Sequence, residues 1–185
     1  HVLFRRQRQM CIRDSVRYGT FGGNSVENVH PFLRRNNWMH RNLILAGNFN
    51  MTNSKELFES LVDIGQHPKE YTDTVIIMEE IGHFLDNSVR KIRKDLKKIE
   101  LSKDEITKKI SKKLDVFKIL KKASKKWDGG YVIGGLLGHG DSFVIRDPNG
   151  IRPAFYYKDD EVVVVASERP AIPVSYTHLR AHETS

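Results

Sequence analysis

From Ser88 to Lys126 apolar residues recur only at helical intervals, and most of what surrounds them is lysine. Ile92, Leu96 and Ile99 mark one stripe. Ser102 followed by Glu105 then has the form of a helix N-terminal capping box, and Ile106, Ile110, Leu114, Phe117 and Leu120 carry the period onward. The pattern predicts two amphipathic helices forming a hairpin that lies on a domain, because one apolar stripe per helix must be buried against something else.

Apolar runs on either side supply that partner. Asn42 to Ala46 (NLILA) has strand length and ends at Gly47, while Val16-Arg17-Tyr18 reads as the end of an earlier strand. Asn53 is placed to cap a helix, with Glu56 as its capping-box partner and Leu57, Leu61 and Ile64 on one face. A second helix is expected after Thr72-Asp73, burying Val75, Ile76, Met78 and Ile81. Residues 131–137, 142–146, 154–157 and 161–166 read as four strands. The last, EVVVVA, shows little alternation, which predicts burial on both faces. Asp147-Pro148-Asn149-Gly150 places favoured residues at the successive positions of a type I turn, expected to join two strands in a hairpin. Strands, central helices and further strands give an α+β layered fold.

The two ends are of a different kind. Arg5–Ser15 (RRQRQMCIRDS) and Val174–Thr184 (VSYTHLRAHET) match the translated ends of a common transposon-based sequencing adapter. Residues 1–15 and 174–185 are therefore expected to be non-native, leaving 16–173 as one domain with 88–126 as a helical insert. Cys11, the single cysteine, falls in the first of these segments, so 16–173 offers no disulfide, zinc knot or thiol. The net charge of +8 is likewise uneven: residues 90–126 carry sixteen Lys or Arg against five Asp or Glu, and the rest of 16–173 is acidic. Phe117 is the one aromatic in that basic stretch and falls on its apolar stripe, so a solvated face is expected rather than a nucleic-acid site. No apolar run approaches the roughly 20 residues of a membrane span, and a cytoplasmic protein with no membrane partner is expected. His30, His40, His67, His83 and His139 show no metal-ligand spacing, and no metal is expected in this stretch.

Four separated blocks carry a resemblance: VRYGTFGGNSVENVHPF from Val16, LILAGNFNMTN from Leu43, TDT from Thr72, and RDPNGIRP from Arg146 with VVASE from Val164. In this order they resemble the class II, or N-terminal-nucleophile, glutamine amidotransferase domain, and the last pair resembles its amidophosphoribosyltransferase branch. Another class II member, of the glucosamine-6-phosphate synthase or asparagine synthetase type, would share the first three blocks without RDPNGIRP. A non-catalytic glutamine-binding relative is the other alternative.

The resemblance implies a four-layered αββα sandwich and hydrolysis of the glutamine side-chain amide by an N-terminal cysteine. An amide carbon is a poor electrophile, and a thiolate attacks it to form an acyl-enzyme. That cysteine has no counterpart in 16–173, so this stretch by itself is expected to be inactive. Arg17 matches the arginine that grips the glutamine α-carboxylate, a task suited to the planar two-pronged guanidinium. Thr20 matches a threonine of the same pocket, and Asp73 the carboxylate that binds the α-ammonium. Asn48 matches the asparagine that donates to the tetrahedral oxyanion, and the backbone N–H of the next residue is the second donor. Here that residue is Phe49 where relatives carry glycine, and Gly47 stands where they carry histidine. The family's second activity uses the released ammonia to displace pyrophosphate from phosphoribosyl pyrophosphate, giving phosphoribosylamine for purine synthesis. The resemblance places that step, with its magnesium, in a further domain, and implies a homo-oligomeric parent with no cofactor in this stretch.

Overall fold

The computed structural model describes residues 2–4, 30–68, 70–97 and 101–173. Seven strands and four α-helices are present among them: β1 (Val2–Phe4), β2 (Phe32–Arg34), β3 (Leu43–Met51), α1 (Ser54–Asp63), α2 (Asp73–Leu96), α3 (Lys103–Lys113), α4 (Val116–Ala123), β4 (Gly129–Leu137), β5 (Ser142–Arg146), β6 (Phe155–Lys158) and β7 (Val163–Ala166). An antiparallel sheet of order β1-β5-β4-β3-β2 carries the helices on one face, and β6-β7 forms a separate two-stranded sheet. The strand expected at Val16-Arg17-Tyr18 lies outside the described residues. Val2–Phe4 pairs antiparallel with β5 inside the segment that the sequence marks as non-native. Such pairing uses backbone groups alone and says nothing of the origin of those residues.

Alternation along the central strands decides which side is core. In β3, Leu43, Leu45 and Met51 are buried, whereas Asn48 and Asn50 on the opposite face are exposed. Tyr131, Ile133 and Leu137 of β4 and Phe143 and Ile145 of β5 join the same buried face. Ile76, Ile77, Ile81, Leu85 and Val89 of α2 pack onto it from the helical layer. Gly135 has no room for a side chain, since a Cβ there would meet the ring of Phe143 at 2.3 Å.

The Lys-rich stretch is part of this core. Helix α2 runs without a break through Ser88 to Leu96, so the first of the two expected helices is its C-terminal part; Ile99 lies outside the described residues. The second is divided: α3 ends before Leu114, and Asp115 caps α4 by accepting from the Lys118 N–H at 3.0 Å. The capping box of Ser102 and Glu105 forms as expected. Leu96, Ile110, Leu114, Val116, Ile119 and Leu120 are buried with the sheet residues, while the lysines of α3 and α4 point to solvent. Phe117 departs from its expected place on the stripe and is 43% exposed.

Three further expectations are corrected by the structure. Asn53 flanks α1 but makes no cap bond; its amide donates to Lys126 O at 2.8 Å and its oxygen accepts from Asp128 N at 3.2 Å. Ile64 falls past the end of α1 and is exposed. β7 is not buried on both faces: Val164 is its one buried residue, because β6-β7 carries no covering layer among the described residues.

The turn after β5 does not make a hairpin, since β5 and β6 belong to different sheets. Gly150 N–H donates to Asp147 O at 3.2 Å with Gly150 at φ 68°, closing the expected turn. The Asp147 carboxylate then accepts from the backbone N–H groups of Ile151 (2.8 Å), Arg152 (3.1 Å) and Tyr131 (3.3 Å), tying the turn to β4. Burial alone would raise this carboxyl, but those three donors outweigh it and hold its pKa below the usual carboxylate value. A depressed folded-state pKa contributes stability above the unfolded value, and that contribution is lost as pH falls through the folded value. Asp147→Ala is expected to lower the unfolding free energy by about 1–3 kcal/mol at neutral pH, less at acid pH. Urea titrations at both pH values measure this; equal stability of variant and parent at neutral pH would show that the turn closes without the carboxylate.

Candidate active site

β3 has a partner on both sides only as far as Leu45, where its pairing with β2 ends at Phe32. Its pairing with β4 continues through Asn48↔Val132 and Phe49↔Tyr131 to Met51↔Gly129. From Gly47 to Met51 one edge of β3 therefore has no neighbouring strand among the described residues. Backbone groups of alternate residues leave a strand on alternate sides. Thr52 N–H donates toward β4, to Asp128 O at 3.0 Å, so the N–H groups of Gly47, Phe49 and Met51 face the open edge.

Two of those three are taken. Met51 N–H donates to Asp73 Oδ2 at 2.9 Å, and Gly47 N–H donates to His30 Nδ1 at 3.4 Å. The Phe49 N–H lies between them, and the Asn48 side chain stands on the exposed face beside it. Asp73 thus meets the same edge of β3 as the Phe49 N–H, at Met51 two residues further on, with Asn48 on the exposed face. At about 3.3 Å per residue, Phe49 and Met51 are about 7 Å apart along the edge, comparable to the reach of an extended glutamine from α-nitrogen to amide oxygen.

Asp73 opens α2 but is not its cap; Thr72 holds that position, its hydroxyl accepting from Val75 N at 3.4 Å. Asp73 Oδ1 accepts from Ser54 Oγ at 2.5 Å, so the carboxylate is fixed from both β3 and the first residue of α1. A carboxylate at a helix N-terminus is also favoured by the orientation of the peptide dipoles. Each oxygen keeps a lone pair for a cation.

Phe49 continues β3 in register with Tyr131, so the strand imposes no left-handed backbone there. Glycine is needed instead one residue before Asn48: a Cβ on Gly47 would lie 2.2 Å from Val132 O and 2.9 Å from Ile133 Cα. Across from Phe49 in β4, Tyr131 meets Trp127 edge-on at 5.3 Å between ring centroids. Trp127 Nε1 donates to Glu80 of α2, whose carboxyl is pushed up by burial, against the lowering effect of that hydrogen bond. Burial likewise pushes the Tyr131 hydroxyl up.

Arg17 and Thr20 lie outside the described residues, as does Cys11. His30, which its sequence context marks as ordinary, stands at this edge. Two of its hydrogen-bond partners lie 17 and 44 positions away, and no spacing in the sequence signals them.

No protein-family model matches the chain. Amidophosphoribosyltransferase from Pasteurella multocida is 31% identical to it over 148 residues, which is 79% of this chain and 25% of that protein. The enzyme of the same name from Methanocaldococcus jannaschii is 29% identical over 158 residues, 85% of this chain and 27% of its own length. Among solved structures, glutamine phosphoribosylpyrophosphate amidotransferase from B. subtilis, complexed with ADP and GMP, superposes with a TM-score of 0.57 at 24% identity, covering 81% of this chain and 27% of the other. A structure described as the allosteric regulatory enzyme of purine biosynthesis gives 0.58 at 26% identity, over 86% and 28%. The chain thus spans about a quarter of the length of the curated relatives it matches. The mixed fold with antiparallel sheets is that of these neighbours, and over the stretch it spans the chain is similar to the amidophosphoribosyltransferases.

Proposed function

We propose that this stretch forms the glutamine-binding and oxyanion-stabilising part of the glutaminase site of an amidophosphoribosyltransferase. The observation that carries the reading is the open edge of β3, where the Phe49 N–H lies between two N–H groups held by His30 and Asp73. Glutamine lies along this edge with its α-ammonium at Asp73 and its side-chain amide at Asn48 and Phe49. A cysteine thiolate supplied from outside residues 16–173 attacks the amide carbon. The carbonyl π electrons move onto oxygen, and the anion is met by the Asn48 amide and the Phe49 N–H. The amide nitrogen takes up the proton that the thiol gave up and leaves as ammonia when the intermediate collapses, and water then cleaves the thioester to glutamate and restores the thiol. Donors already in place where charge develops need no reorganisation during the step.

Ammonia passes to phosphoribosyl pyrophosphate in a further domain, giving 5-phosphoribosylamine for purine synthesis. Magnesium belongs to that domain, and none is assigned to this stretch. The parent enzyme is cytoplasmic and homo-oligomeric in this reading. Among the described residues no helix is long and apolar enough to cross a membrane. The lysine faces of α3 and α4 are solvated, with no nucleic-acid partner.

The full-length enzyme is expected to form phosphoribosylamine with either glutamine or free ammonia. Arg17→Lys keeps the charge but loses the paired hydrogen bonds to the α-carboxylate. One charged hydrogen bond is worth about 1.5–3 kcal/mol, which raises KM for glutamine by roughly one to two orders of magnitude. Because that contact is remote from the reacting amide, kcat should change less. A parent that uses ammonia but never glutamine would overturn the reading. A KM within about twofold of the parent would remove Arg17 from the pocket.

A further inference from the structure

We infer that His30 is a positioning residue for glutamine hydrolysis: its neutral imidazole sets the open edge of β3 against the start of α2, so that the Phe49 N–H is left aimed at the reacting amide. The inference rests on the reading proposed above. It adds a residue to which neither sequence pattern nor relatives assign a role.

Contacts from β2, β3 and α2 converge on this ring. Gly47 N–H donates to Nδ1 at 3.4 Å, and Nε2 lies 3.4 Å from Thr74 Oγ1. The ring stacks on Phe49 with centroids 5.6 Å apart and planes at 26°, and meets Phe32 edge-on at 5.4 Å. Gly47 directly precedes Asn48, Phe49 carries the second oxyanion donor, and Thr74 follows Asp73. One side chain therefore touches the chain on either side of Asn48 and the residue after Asp73.

The hydrogen-bond directions fix its form. Nδ1 accepts from Gly47 and must carry no proton, so Nε2 carries it and donates to the Thr74 hydroxyl.

This arrangement does something an ordinary strand partner does not. Beyond Leu45 the edge of β3 no longer has β2 to hold it. An edge with its N–H groups unheld can pair elsewhere or shift in register. His30 and Asp73 occupy the N–H groups at positions 47 and 51 and fix the strand from both sides of position 49. The phenyl ring of Phe49 under the imidazole resists rotation of that residue. An oxyanion donor displaced by even about 1 Å loses much of its effect, with costs that reach about 100-fold in rate.

The test uses the full-length enzyme and three substitutions. His30→Ala removes every contact, His30→Phe keeps the stacked ring without the acceptor, and His30→Asn keeps an acceptor oxygen near the Nδ1 position. For His30→Ala and His30→Phe, kcat for glutamine hydrolysis is expected to fall by about 10- to 100-fold with KM within about threefold of the parent. His30→Asn is expected to recover most of that loss. Hydrogen–deuterium exchange at the Gly47 amide should quicken in the Ala and Phe variants and slow again in Asn. Ammonia-driven synthesis should survive in all three, which separates this effect from unfolding. His30→Asn and His30→Phe with the same kcat in folded enzyme, or a rise in KM at unchanged kcat, would overturn the inference while leaving glutamine hydrolysis itself established. A parent that hydrolyses no glutamine overturns the proposed function and this inference with it.

Discussion

Asn48→Ala in the full-length enzyme is expected to lower kcat for glutamine hydrolysis by about 10²–10³ and leave KM within a few-fold. Asn48 lies on the exposed face of β3, one residue before the Phe49 N–H at the open edge, so its amide and that N–H can meet one oxygen. The ground-state carbonyl carries little charge, and the tetrahedral intermediate carries a full one. A donor placed for the second therefore acts on the rate more than on binding. Asn48→Asp should be at least as damaging, because it exchanges a donor for a negative charge beside the developing anion. Steady-state kinetics with glutamine decide the matter. A raised KM at unchanged kcat would make Asn48 a ground-state contact, and full activity would take it out of the oxyanion hole. Ammonia-dependent synthesis should survive either substitution.

Arg34→Ala is expected to destabilise the fold by about 3 kcal/mol, the lower end of the range for breaking a buried ion pair. The guanidinium joins β2 to the middle of α2. Its Nη2 donates to Asp86 Oδ2 at 2.8 Å, its Nη1 to Asp86 Oδ1 at 3.3 Å, and its Nε to Glu79 Oε2 at 3.2 Å. The arginine side chain is 13% exposed, with Asp86 at 20% and Glu79 at 26%. Removing it leaves the partly buried Glu79 without that cation and Asp86 with Arg41, whose Nε lies 3.7 Å from Asp86 Oδ1. It also opens the space above Gly82, where a Cβ would lie 2.4 Å from Arg34 Nε. Arg34→Met should recover some packing but little of the electrostatic loss. The Arg34→Ala, Asp86→Ala double variant should cost less than the sum of the single changes, because the pair is coupled. Denaturant unfolding of the four proteins measures this, and strict additivity would show that the ion pair contributes nothing.

The sequence by itself determined what depends on residues a few positions apart. The Ser102–Glu105 capping box, the Asp147–Gly150 turn, the start of α2 at Asp73 and the strand at Ser142–Arg146 all formed where their local patterns place them. The capping box, the turn and the helix start each close within about one turn of chain, where the competing partner is water. Asn48, Phe49 and Asp73 were singled out through the blocks that resemble the amidotransferase domain; the fold sets Phe49 and Asp73 at the open edge of β3 and Asn48 on its exposed face. Tertiary structure decided the rest. Asn53 had the right local pattern for a cap, but partners 73 and 75 residues away claim its amide. Glycine at 47 answers to the backbone of β4, not to a turn. The lysine-rich helices looked appended because their charged faces dominate the composition, yet their apolar positions complete the core beneath the sheet. His30 gave no signal because its partners at 47, 49 and 74 become neighbours only when β3 and α2 pack together. Hydrogen-bond partners joined over such separations cannot be read from periodicity, since their meeting depends on where the whole sheet and its helical layer come to rest.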